Sequence, residues 1–183
     1  METRNFYILI ASVAVAFTCF WLTLYAIITL DIDIFQDPDT VIIKGQAIDG
    51  ELSISLSELK SDKYEKIESH TFDIKNSVGR EYERIYSGVS LRSIFEVEDL
   101  ISGNPSLLYF KFRGRDGYIT EALPLSTVFN NLYNETIIAF ADGNGHPLFE
   151  EGPLRSVIDQ SVMPIGEVAS QYSVQKLAII EVF

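Results

Sequence analysis

The chain is poor in cysteine, with a single thiol, Cys19, among 183 residues. No disulfide can form within the chain, and the residues after Cys19 offer no thiolate for metal binding or nucleophilic attack. Basic residues are also scarce, since 14 Lys and Arg stand against 26 Asp and Glu for a formal net charge of −12. This balance argues against nucleic acid as a partner, because phosphate binding requires a basic face.

Familiar catalytic motifs are missing as well. The sequence has no G-x-S-x-G, no H-E-x-x-H and no glycine-rich loop ending in Gly-Lys-Ser/Thr. It therefore gives no support for a serine hydrolase of the α/β type, a zinc metalloprotease or a P-loop nucleotide-binding enzyme. A calcium loop starting at Asp142 fails because Pro147 replaces the required glycine. The two histidines, His70 and His146, lie in separate segments. We therefore assign no catalytic residue and no metal ligand from the sequence.

One long segment without charge stands out, because Phe6 to Leu30 contains no Asp, Glu, Lys, Arg or His. At 1.5 Å per residue, a helix of about 25 residues is roughly 37 Å long, enough to cross a hydrocarbon core of about 30 Å. A cleaved signal peptide is the alternative, but its apolar run is shorter and ends at a small-x-small site. We predict a single membrane-spanning helix whose partner is the lipid bilayer.

The flanks of this segment predict its orientation. Arg4 is the only Lys or Arg before it, and the positive-inside rule places the N-terminus in the cytoplasm. The predicted location is the cell membrane, single-pass, with the following domain extracytoplasmic. Residues 1–36 form the anchor and a short linker, and residues 37–183 form one domain of ordinary size.

Strand-like patterns outnumber helical ones in the domain. Alternating or apolar runs predict strands at 40–47, 52–56, 68–74, 107–112, 118–122, 137–141, 147–149 and 174–183. Short helices are predicted at 57–60, after the glycine of 86–95, and at 124–132. Because the strands do not alternate regularly with helices, the pattern favours a strand-rich α+β fold over a doubly wound sheet.

An ordered set of short phrases spans residues 41–183. They are V-I-I-K-G at 41–45, L-S-I-S-L at 52–56, Y-S-G-V-S-L at 86–91, D-G-Y at 116–118, I-A-F-A-D-G-N-G-H-P-L at 138–148, G-P-L-R at 152–155 and V-Q-K-L at 174–177. In this order they resemble the molybdopterin-binding domain of the sulfite-oxidase-like oxidoreductases. The resemblance implies an α+β fold and a molybdopterin cofactor whose molybdenum performs oxygen-atom transfer or a related reduction.

The chain departs from this family where the metal is bound. Members place a cysteine in the strand and loop ahead of the Gly-Val-x-Leu phrase, and the corresponding residues 71–79 contain none. Ser77 offers only a hard oxygen, and Lys75 brings a cation, so neither replaces a soft thiolate. This departure argues against bound molybdenum and against oxidoreductase activity.

Several positive side chains are candidates for binding the phosphate of such a cofactor. Arg155 and Lys176 match family positions, and Arg113, Arg115 and Lys75 complete the set. Guanidinium and ammonium groups pair well with phosphate oxygens. Structural roles, in a turn for Arg155 and on a strand edge for Lys176, are the alternative.

Three functions follow from these patterns. The leading hypothesis is a membrane-anchored, extracytoplasmic domain that resembles the molybdopterin-binding fold and is a non-catalytic binding or accessory protein. The second is a molybdopterin-dependent oxidoreductase that retains its cofactor without a cysteine ligand. The third is a structural subunit that docks a membrane-complex partner through its acidic face.

Overall fold

The computed structural model describes residues 12–23, 25, 37–129 and 133–183. The chain divides into two compact units, Met1–Phe35 and Gln36–Phe183. In the first unit, residues 12–23 and 25 are helical. Within the described residues, no helix combines the length and the apolar character needed to cross a bilayer. The span expected at Phe6 to Leu30 extends beyond them at both ends, so it stays a prediction.

The second unit consists of short strands joined by short helices and turns. In chain order its described elements are β1 (Thr40–Lys44), β2 (Glu51–Ser55), α1 (Leu56–Leu59), β3 (Lys66–Lys75), β4 (Glu81–Ser90), α2 (Leu91–Val97), β5 (Tyr109–Gly114), β6 (Leu123–Pro124), α3 (Ser126–Phe129), β7 (Thr136–Asp142), β8 (Arg155–Ile158) and β9 (Leu177–Val182). Single 3₁₀ turns lie at Pro105–Leu107, Gln160–Val162 and Ala169–Gln171.

The strands form two sheets. The first has the order β2-β1-β9-β5-β6, and the second has the order β3-β4-β7-β8. Only β1 and β9 run parallel among the described pairs, and all the others are antiparallel. Because β1 pairs with β9, the first and last strands of the domain lie side by side in one sheet.

The main hydrophobic core joins both sheets and the helices. Its fully buried members include Ile43 in β1, Phe112 in β5, Ile94 in α2 and Ile138 in β7. Burial of such side chains contributes roughly 1.5–3 kcal/mol each, which makes this core the chief stabilising element. Gly45 permits the close approach of β9, since a Cβ there would lie 1.8 Å from the carbonyl oxygen of Val182.

A second core covers the other face of the β3-β4-β7-β8 sheet. Its buried residues are Phe72, Ile74, Tyr86, Ile137, Ala139, Leu148, Val157 and Ala169. Successive residues of a strand point to opposite faces, so Ile137 faces this core while Ile138 faces the main one. Strand β7 is therefore buried on both sides, which explains its unbroken apolar sequence.

The strand-rich α+β class expected from the sequence is confirmed. The details differ where strands are exposed, since β4 begins at Glu81 in a charged segment for which no strand was predicted. The return strands expected at 118–122 and 147–149 are reduced to single bridges, Arg113 to Ile119 and Ala141 to Pro147. Strand β7 pairs instead with β8, whose few residues gave no clear pattern. Of the helix expected at 124–132, residues 130–132 lie outside the described residues.

Candidate functional site

Arg155 begins β8 on the face of the sheet that carries the second core, and its side chain is only 13% exposed. Its Nη1 donates hydrogen bonds to the hydroxyl of Tyr86, at 3.0 Å, and to the carboxylate of Glu151. Its Nη2 lies 3.4 Å from the carbonyl oxygen of Ser173. The guanidinium carbon is 5.4 Å from the centroid of the Tyr86 ring. Arg155 is thus held between a carboxylate and an aromatic ring.

Glu151 is fixed through both its side chain and its backbone. While the carboxylate pairs with Arg155, the carbonyl oxygen accepts a hydrogen bond of 2.8 Å from the backbone N–H of Lys176. Gly152 allows the two loops to touch, because a Cβ there would lie 2.6 Å from Cγ of Lys176. Both cations that match the family positions therefore contact Glu151, one through its guanidinium and the other through its backbone.

Arg115 continues this set of contacts. Its backbone N–H donates to the carbonyl of Lys176 at 2.9 Å. Its guanidinium Nη2 donates to the carbonyl of Thr40 at 2.8 Å and to that of Asp37. Arg115 therefore ties the loop after β5 to the first described residues of the domain, which is a structural use of its charge.

The hydroxyl of Tyr86 completes the cluster around Arg155. Burial raises the pKa of this phenol, and the positive charge of Arg155 opposes that rise without cancelling it. Tyr86 is consequently protonated at neutral pH. Its hydroxyl accepts from Arg155 and lies 3.5 Å from Oε2 of Glu151, toward which it can donate.

Two of the clefts along the exposed half of β4 carry mostly carboxylates, whereas a third, of about 400 Å³, is lined by Arg80 and Arg84 beside Glu83. Of the first two, one of about 380 Å³ opens beside Tyr86 and Glu151, and another of about 470 Å³ lies between the β3–β4 hairpin and the Gln160–Val162 turn. Their carboxylate linings are Asp73, Glu81, Glu83, Asp142 and Glu151, and the guanidinium of Arg84 also lines the first. Carboxylates therefore outnumber cations in these two clefts, which disfavours anions there, while the third cleft is lined by more cations than carboxylates.

Two of the predicted site residues lie on other elements. Lys75 ends β3 and pairs with Glu81 across the hairpin at 3.1 Å. Glu81 and Tyr86 are separated by about 17 Å along β4 at 3.4 Å per residue. Arg113 lies in β5 of the first sheet, opposite Ile179. The structure thus groups Arg155, Lys176 and Arg115 through the Glu151 loop and places Lys75 and Arg113 elsewhere.

The segment in which the resemblance places the metal ligand, residues 71–79, is the end of β3 and the turn that follows it. Residues 71–75 belong to β3, and Asn76 closes the turn by accepting hydrogen bonds from the backbone N–H groups of Val78, at 3.1 Å, and Arg80, at 2.9 Å. Ser77 is exposed within it. In the part of the chain that the structure describes, no three His, Cys, Asp or Glu side chains are arranged to hold a metal ion.

The residues at these positions do not fit the cofactor that the resemblance implies. The turn supplies no soft donor for molybdenum. The guanidinium of Arg155, which the resemblance assigned to a phosphate, already faces the carboxylate of Glu151. Tyr86 was not among the predicted site residues, because its contact with Arg155 joins positions 69 residues apart.

Comparison with known proteins gives a structural likeness alone. No protein-family model matches the chain, and no curated protein matches it. Among solved structures, the sulfane dehydrogenase SoxCD from Paracoccus pantotrophus is similar, with 14% identity and a TM-score of 0.60. The match covers 82% of this chain and 40% of that chain, so this chain spans well under half of that chain's length. The resemblance inferred from the sequence is confirmed only as a distant likeness in fold.

Proposed function

We propose that this chain is a membrane-anchored, extracytoplasmic binding or accessory domain that does not catalyse a redox reaction. The observation that carries the proposal is the pairing of Arg155 with Glu151. An anionic cofactor would have to displace Glu151 and break a charge-assisted hydrogen bond worth about 1.5–3 kcal/mol. The displaced carboxylate would then join the other carboxylates of the cleft.

Cofactor analysis of the full chain tests the non-catalytic role. The protein is expressed in a host that makes molybdopterin and purified from its membranes, with a molybdenum enzyme from the same host as the positive control. We expect molybdenum, tungsten and pterin each to lie well below one equivalent per chain. Stoichiometric metal that is lost, together with turnover, in Ser77→Ala or Lys75→Met would contradict the proposal.

The anchor and the orientation need their own test. The proposal places Phe6 to Leu30 in the bilayer and Arg4 on the cytoplasmic side, from the charge pattern of the sequence. A reporter enzyme that is active only in the cytoplasm, fused after Phe183, is expected to be silent. A reporter active only outside is expected to give signal, and the reverse result would overturn the orientation.

A second function, docking to a membrane-complex partner, is favoured by the acidic part of the face along β4, which consists of the two clefts that carry mostly carboxylates. Carboxylates outnumber cations around the two clefts, and Glu83 lines both of them. Complementary charge steers association and sets specificity, and it makes binding sensitive to salt. A basic surface on the partner is the chemistry that such a face fits.

The docking function predicts a partner that co-purifies from native membranes at low salt and dissociates at high salt. Glu81→Gln/Glu83→Gln should lose this partner, because both side chains line the acidic clefts. Glu51→Gln/Glu121→Gln is the matched control, since it removes the same charge from exposed positions away from β4. Equal loss in both variants would show that net charge, and not this face, is responsible.

A further inference from the structure

We propose that the first half of β4, from Glu81 to Arg84, is a sheet edge at which a partner protein adds a β-strand, and that the added strand carries basic side chains at alternate positions. We call these four residues the open edge. The inference rests on the docking function proposed above and specifies how the partner binds. Backbone hydrogen bonds hold the added strand, and charge selects it.

Strand β4 extends beyond the strand that lies next to it. Its pairing with β7 begins at Tyr86, opposite Asp142, whereas its pairing with β3 extends to Glu81. The β3–β4 hairpin therefore projects past the end of β7, and the open edge has a neighbouring strand on one side only among the described residues. Its four residues span about 14 Å at 3.4 Å per residue.

The backbone groups of Glu81 and Glu83 point toward the unpaired side. The hairpin closes with a hydrogen bond from the N–H of Asn76 to the carbonyl of Arg80, and bonded and non-bonded positions alternate along an antiparallel pair. Tyr82 therefore bonds to β3, while Glu81 and Glu83 direct their N–H and C=O groups away from it. Within the described residues, no hydrogen bond reaches these groups from that side.

The opposite edge of the hairpin is already covered. By the same alternation, Asp73 of β3 directs its N–H outward, and this group donates to Oδ2 of Asp159 at 2.8 Å. The Gln160–Val162 turn that follows Asp159 packs against β3. The open edge has no such cover in the described part of the chain, so it is the side at which this sheet can accept another strand.

The side chains of the open edge determine what can pair with it. Glu81 and Glu83 point to one face and Tyr82 and Arg84 to the other, because successive residues of a strand alternate. An antiparallel second copy, centred on Glu83 or on Tyr82, would set carboxylates directly opposite each other, which is unfavourable.

A partner strand with Lys or Arg opposite Glu81 and Glu83 meets opposite charges at both positions. An acidic residue opposite Arg84 adds a third such pair. Glu83 lines all three clefts along β4, so there is space beside the edge for the added side chains. The occupant that fits is an extended segment of another protein, with basic residues at every second position.

The experiment uses the full chain in non-ionic detergent micelles and three synthetic decapeptides, with binding followed by fluorescence anisotropy. In the first peptide Lys alternates with Thr, and in the second the same five Lys are grouped at one end. The third is the alternating peptide with an N-methyl group on every Lys amide, which removes the backbone donors that face the open edge. All three carry the same side-chain charge.

The alternating peptide should bind roughly 2- to 30-fold more tightly than the grouped one, because only alternate Lys side chains reach both Glu81 and Glu83 on one face. The N-methylated peptide should lose this advantage. Deuterium exchange of the 81–84 amides should slow when the alternating peptide binds. Glu81→Gln/Glu83→Gln should remove the preference, and Glu51→Gln/Glu121→Gln should keep it.

The inference is overturned if the alternating and grouped peptides bind equally, or if N-methylation leaves binding unchanged. These comparisons use the wild-type chain, so they do not depend on a variant that folds. Dimerisation of the free chain that protects the 81–84 amides would assign the edge to a second copy and overturn it as well. Absence of any partner from native membranes refutes docking itself, whereas a salt-sensitive partner without an advantage for the alternating peptide refutes only strand addition.

Discussion

Ser156 offers a sharp test of how the segment behind the Arg155 cluster is held. This serine is fully buried in β8. Its hydroxyl donates to the carbonyl of Tyr172 at 2.7 Å and accepts from the backbone N–H of Val174 at 2.9 Å. One side chain thus satisfies two backbone groups of the segment that leads into β9, on either side of the Ser173 carbonyl that faces Arg155.

The magnitude follows from the groups that Ser156→Ala would leave without partners. Each buried donor or acceptor left unsatisfied costs about 1–3 kcal/mol, and a methyl group cannot replace either bond. We expect a loss of about 2–4 kcal/mol in the free energy of unfolding. For a domain of about 150 residues, this corresponds to a fall in Tm of roughly 4–16 °C.

Thermal and urea unfolding of the full chain, followed by circular dichroism, measures the effect. Ser53→Ala is the matched control, because Ser53 also lies in a strand but is exposed. Its change should stay within about 0.5 kcal/mol. If Ser156→Ala loses less than about 0.5 kcal/mol as well, the two hydrogen bonds do not hold this segment and the reasoning is refuted.

Three further predictions concern the rest of the domain. Burial raises the pKa of Glu98, but hydrogen bonds from Lys63 and Tyr64 outweigh this effect and lower the pKa below its ordinary value of 4.5. The carboxylate therefore stabilises the fold above that pH and loses this effect as the pH falls. Glu98→Gln should flatten the acid limb of the curve of unfolding free energy against pH. Gly45→Ala should cost at least about 3 kcal/mol, because the new methyl group would overlap a carbonyl of β9 and the φ is +146°. Phe72→Ala should cost about 3–5 kcal/mol, since the ring is fully buried in the second core.

Each of these has a control and a contrary result. Glu68→Gln, at an exposed position of β3, should leave the acid limb unchanged, and equal flattening in both variants would remove Glu98 from the explanation. Gly50→Ala has a positive φ but open space around its Cβ, so it should cost less than Gly45→Ala. Phe149 is 85% exposed, and Phe149→Ala should be nearly neutral. If Phe72→Ala is nearly neutral as well, the second core contributes little to stability.

The fold class could be predicted because its signals are local. Alternation at 52–56 and the apolar run at 137–141 mark β2 and β7, since a strand repeats every two residues and a strand buried on both faces is apolar throughout. Strand β4 was missed because its first half, from Glu81 to Ile85, lies at the surface and follows no apolar pattern. Strand β8 was missed because four residues are too few for a period to show.

The site could be predicted only in part. Resemblance selected Arg155 and Lys176, and the structure places both beside Glu151. The resemblance did not reveal that Lys176 contributes its backbone N–H or that Tyr86 lies beneath the guanidinium of Arg155. Lys75 was predicted to belong to the same site as Arg155. In the structure, its side chain pairs with Glu81 at another part of the sheet.

The sequence by itself determined the charge of this protein, the absence of a thiol after Cys19 and the strand-rich α+β class, because each of these depends on composition or on neighbouring residues. Only the tertiary structure decided which charges meet. Arg155 faces Tyr86 because β4 and β8 both flank β7 in one sheet, and it faces Glu151 because the loop before β8 folds back and bonds to Lys176. Such contacts arise from packing between distant segments, for which a local pattern carries no information.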